Sequence, residues 1–69
     1  MKIPIGEIEL KEGDKFKYIG ITFVVIQVIG KTDKTVVIEA KGLKTKKRPF
    51  DMIEVLKIRL TTKVEKISE

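Results

Sequence analysis

Lys31, Lys34, Lys41, Lys44, Lys46 and Arg48 are the residues through which this chain could do chemistry, and that chemistry is the binding of phosphate groups. Residues 31–50 hold seven cations and two anions, while residues 1–30 and 51–69 each hold four of either sign, so the net charge of +5 lies in the middle third. A local basic excess is the electrostatic footprint of a polyanion-binding face. Lys41-Gly42 reads as a two-residue hairpin loop, which sets Ala40 opposite Leu43 and Thr35 opposite Arg48. Lys44, Lys46 and Arg48 then share one strand face at about 6–7 Å spacing, twice the rise per residue. That spacing is close to that of phosphates along one DNA strand. The competing reading is a solubilising edge, because Lys on an edge strand blocks edge-to-edge aggregation. Only Arg48 in this set offers a bidentate fork, so base-specific readout is expected to be weak.

Other chemistries are excluded by absent residue types. The chain has no His and no Cys, which removes zinc thiolates, imidazole bases and triad nucleophiles. Ser68 stands one residue from the C-terminus, where chain ends fray. Glu7, Glu9, Glu12 and Asp14 alternate loosely and could hold a hard cation, but they read as a solvated acidic rim. We therefore expect a non-enzymatic protein with no metal and no cofactor. Phe16, Tyr18, Phe23 and Phe50 are the only aromatic residues, and all four read as core. With few stacking platforms, backbone-led binding to duplex DNA is favoured over RNA recognition.

The elements that must position these cations are strands. Ile, Val and Thr number 11, 7 and 6 in 69 residues, and β-branched side chains suit a pleated surface. Residues 1–69 form one small domain, with 1–11 an N-terminal arm or edge strand and 62–69 a tail. Lys15-Phe16-Lys17-Tyr18 alternates, and Ile19-Gly20 closes a tight hairpin in which Gly20 takes the left-handed position because Ile resists it. Ile21 to Ile29 is a strand apolar on both faces, so it must be covered twice or bend. Beyond Pro49, Phe50, Ile53, Leu56, Leu60, Val64 and Ile67 make a helical stripe, while Leu56, Ile58, Leu60, Thr62 and Val64 alternate as a strand. A turn at 49–52 and a strand from Ile53 to about Leu60 are favoured, with a short C-terminal helix as the alternative. The expected core is Phe16, Val24, Ile26, Val28, Val36, Ile38, Leu43, Ile53 and Leu56.

This order of turns and strands over about residues 12–58, from Glu12-Gly13-Asp14 to Ile53-Glu54-Val55-Leu56, resembles SH3-like small β-barrels. The resemblance implies an all-β, five-stranded antiparallel barrel. Lys15-Phe16-Lys17-Tyr18-Ile19-Gly20 also resembles the opening of the small archaeal chromatin proteins, which are SH3-like and bind DNA. Those proteins use an exposed Trp, and this chain has none. KOW domains share the Gly-Asp opening, but their Lys-Gly-x-x-Gly signature is missing after Tyr18. These resemblances imply nucleic-acid binding and carry over no functional residue. Asn is absent and Lys and Glu dominate the polar set, the habit of hyperthermophile proteins, so a hot source is expected. No signal peptide or apolar span is legible, so the expected compartment is the cytoplasm, with no membrane partner. The second functional reading is a protein-interaction or homo-oligomerisation module, since Ile21–Ile29 and the Phe50–Ile67 stripe carry more apolar surface than one small core covers.

Overall fold

A computed structural model describes residues 2–67, so Ser68 and Glu69 of the expected tail lie outside the described residues. The chain is all-β, with strands β1 (Lys2–Pro4), β2 (Lys15–Tyr18), β3 (Ile21–Lys31), β4 (Thr35–Gly42), β5 (Met52–Arg59) and β6 (Lys63–Ile67). They form one antiparallel sheet in the order β1-β6-β2-β3-β4-β5, curled into a half-barrel. Six strands replace the expected five, because the arm contributes β1 and the tail contributes β6, which pair with each other. No described helix is long and apolar enough to cross a membrane. Instead of the helix held as the alternative, residues 63–67 are strand, and a single 3-10 turn at Ile5–Glu7 follows β1. The turn is tied in by Ile5 N–H to Thr62 O (2.8 Å) and Gly6 N–H to Leu60 O (3.0 Å).

The concave face holds the core: Ile5, Ile8, Phe16, Phe23, Val25, Val36, Ile38, Ala40, Ile58 and Val64. Phe16 and Phe23 stack at its centre, ring centroids 5.6 Å apart. Of the expected core, Phe16, Val36 and Ile38 are buried, Val24, Ile26, Leu43 and Leu56 are half-buried, and Val28 and Ile53 are exposed. The reason lies in β3. Its register against β4 shifts between Val25 and Gln27 and again between Val28 and Gly30. Each shift inserts a residue and reverses which parity faces inward. Phe23 and Val25 face the core before the first shift; after it Val28 lies opposite Ile38 but stays 41% exposed. The strand apolar on both faces is thus explained by bending, one of the two arrangements its sequence allows. Ile53 is exposed because β5 turns its even positions inward, with Ile58 buried among them.

The hairpin expected at Lys41-Gly42 does not form. Gly42 stays inside β4 opposite Met52, and residues 43–51 are a loop that carries the chain from β4 to β5. Gly42 reads as a turn glycine but serves a close approach: a Cβ there would lie 2.5 Å from Arg48 Nη2 and 3.0 Å from Phe23 Cε1.

These packings set a ranking. Phe23→Ala should cost about 3–5 kcal/mol and Ile38→Ala about 2–5 kcal/mol, the range for large buried side chains. Ile53→Ala should cost under about 1 kcal/mol, as exposed sites do. Urea denaturation of the three variants checks the order, and a loss at Ile53 matching that at Ile38 would contradict it.

Candidate nucleic-acid interface

The loop at residues 43–51 is built rather than slack. Leu43 N–H donates to Thr22 O (2.8 Å), and Thr45 N–H to Arg48 O (2.7 Å). Lys44 N–H donates to Asp51 Oδ1 (2.8 Å), and Arg48 N–H to Thr45 Oγ1 (3.1 Å). Arg48 folds inward as the loop's anchor. Its side chain is only 18% exposed, and Nη1 meets Glu54 Oε2 at 3.2 Å. Arg48 therefore does not project with Lys44 and Lys46 as the hairpin reading expected. Its guanidinium lies against Gly42, where only a missing Cβ leaves room.

The remaining expected cations divide between two ends of the sheet. Lys44, Lys46 and Lys47 stand exposed on the loop, and Lys41 is exposed at the end of β4, 3.8 Å from Asp51 Oδ2. Lys31 and Lys34 flank the β3–β4 turn at the opposite end of β4. Seven steps along the strand, at about 3.3 Å each, put roughly 23 Å between Lys34 and Lys41. One track from Lys31 to Arg48 is therefore not what the fold builds.

It builds a basic end around the β2–β3 turn. Tyr18 pairs with Ile21 across a two-residue loop, Ile19-Gly20, with φ of 47° and 78°. Positive φ at both central positions marks a type I′ turn, which matches the twist of the flanking strands. Gly20 takes the left-handed conformation as expected. Ile19 takes it too, against its β-branched nature, because a two-residue loop of this twist demands it at both positions. The cost is about 1–2 kcal/mol, yet the side chain gains no burial, being 72% exposed.

Two grooves flank this turn. One, of about 420 Å³, is lined by Ile19, Gly20, Ile21, Thr45, Lys46, Lys47 and Arg48. The other, of about 230 Å³, is lined by Lys2, Lys17, Tyr18, Ile19, Gly20, Lys63 and Glu65. Lys2, Lys17 and Lys63 escaped the sequence reading because they sit in flanks whose total charge is zero. The pairing of β1 and β2 with β6 gathers them around Glu65, which lies opposite both Lys2 and Lys17, while Glu9 meets Lys11 and Asp14 meets Lys66 away from the groove. The alternation of Lys15 and Lys17 was the one sequence signal that placed a flank lysine on the outer face. Among the described residues no three acidic side chains converge on a cation site. Tyr18 is half-buried and tilted against Phe23, ring centroids 6.4 Å apart, whereas Phe50, expected in the core, is exposed on the loop.

Two stability outcomes follow from the turn and the anchor. Ile19→Asn should stabilise the fold by about 1 kcal/mol, since Asn tolerates left-handed φ and Asn-Gly suits this turn. Arg48→Ala should destabilise by about 1.5–3 kcal/mol, the range for a charge-assisted hydrogen bond. Thermal melts check both signs.

Compared with models of known protein families, with curated proteins and with solved structures, the chain matches none.

Proposed function

We propose that this chain is a non-enzymatic nucleic-acid-binding half-barrel that holds duplex phosphates with the basic end around Ile19-Gly20 and reads little sequence. One observation carries the reading. Five lysines and Arg48, against the single acid Glu65, line two grooves on either side of an exposed, strained, apolar turn. Lys2, Lys17 and Lys63 would contact one stretch of backbone, and Lys46 and Lys47 another. Strain held at an exposed position that gains no packing is a mark of functional sites. An apolar side chain set among cations is also the means by which proteins press against base steps in a groove. Lys31 and Lys34 lie outside this surface.

Binding of a short DNA duplex, followed by fluorescence anisotropy across a salt series, tests the proposal. With about four phosphates neutralised, log affinity should fall against log salt with a slope near −4. Lys46→Ala should weaken all duplexes alike and lower the slope by about one. Ile19→Asn should weaken binding while raising the melting temperature, which separates contact from folding. Lys31→Ala with Lys34→Ala should leave affinity unchanged, and so should Phe50→Ala if binding is to duplex rather than to stacked single strands. Unchanged affinity after combined reversal of Lys17, Lys46 and Lys47 to Glu would overturn the reading.

A further inference from the structure

The two ends of the sheet differ in how they are finished. β1 has three residues and closes in Pro4, a short edge of the kind that resists pairing. β5 is an eight-residue edge without Pro, and its register against β4 runs without a shift. Four of the exposed large apolar side chains lie on it or just before it: Phe50, Met52, Ile53 and Val55, the last two 61% and 62% exposed.

The direction of its backbone groups follows from one bond. Leu60 N–H donates to Lys34 O at 2.8 Å, continuing the register in which Thr35 faces Arg59. Along an antiparallel strand, residues that bond the neighbour alternate with residues whose N–H and C=O point away. Leu56 and Ile58 thus bond β4, as Leu60 does, and Ile53, Val55, Lys57 and Arg59 turn their groups to the open edge. Two of these four, Ile53 and Val55, also carry exposed apolar side chains. Beyond Arg59 the edge ends, because Leu60 O and Thr62 O receive the 3-10 turn.

We infer that β5 pairs with β5 of a second copy, antiparallel about Val55, and extends the half-barrel sheet through a two-fold axis. The strand is its own complement in that register. Val55 meets Val55, Ile53 meets the stem of Lys57, Asp51 meets Arg59, and Met52 meets Ile58 on the inner face. Both faces keep their parity, so no side chain is moved to the wrong side. A register centred on Leu56 would put Ile53 against Arg59 and carry the pairing past Arg59 into the 3-10 turn. A two-fold axis needs a patch that complements itself, and this one does. The inference rests on the edge alone and is independent of nucleic-acid binding.

The test is the mass in solution of the full chain without nucleic acid, measured by light scattering over a range of concentrations. Wild type should approach twice 7.9 kDa, and Val55→Lys should run as one copy with an unchanged circular-dichroism spectrum. Because the chain has no cysteine, V55C gives a single thiol. Hydrogen-bonded cross-strand pairs have Cα atoms about 5.5 Å apart, within disulfide reach. Oxidation should therefore link V55C into a dimer and leave V37C, on β4 and covered from the open edge by β5, unlinked. A wild type that stays at one copy at every concentration would overturn the inference. So would a dimer that survives Val55→Lys, or V37C linking as readily as V55C.

Discussion

The fold depends on one strand changing face. β3 is apolar on both sides, and a flat sheet would give half of those side chains to water. The two register shifts after Val25 and Val28 spend one residue each on a bend, and the bend curls the sheet around Phe16 and Phe23. Among the described residues, ten buried side chains then close over the core. The half-barrel follows from that curvature.

How much of this was legible depends on what each residue was doing. Lys15-Phe16-Lys17-Tyr18 showed a half-buried strand because alternation has no other cause at that length. Gly20 showed a turn because nothing else suits its conformation. Ile19 did not show its φ of 47°, since loop length and twist impose it and the side chain resists it. Gly42 misled for a physical reason. It looks like a turn residue, but it is a strand residue stripped of its Cβ so that Arg48 and Phe23 can approach. That single difference removed the basic hairpin and turned Arg48 from a surface cation into an anchor on Glu54. Parity on β3 was also illegible, because Phe23 to Ile29 is apolar at every position but Gln27, so alternation does not tell its two faces apart.

The charge pattern carries a similar lesson. Counting along the chain located an excess, yet the surface that gathers cations draws Lys2, Lys17 and Lys63 from neutral segments and leaves out Lys31 and Lys34. Sheet pairing sorts charge by face and by end, and sequence distance does not. The basic turn and the open β5 edge lie on different parts of the sheet. The first offers charge to a polyanion and the second offers backbone groups to a strand, so the two proposals stand or fall separately.

The most direct measurement of the central claim is a two-dimensional NMR titration of the labelled chain with a short DNA duplex at low salt. The account predicts that the amide signals of Lys17, Ile19, Gly20, Lys46, Lys47 and Lys63 move together and saturably, while those of Lys31 and Lys34 stay in place. Shifts centred on the β3–β4 turn, or none at any duplex concentration, would contradict it.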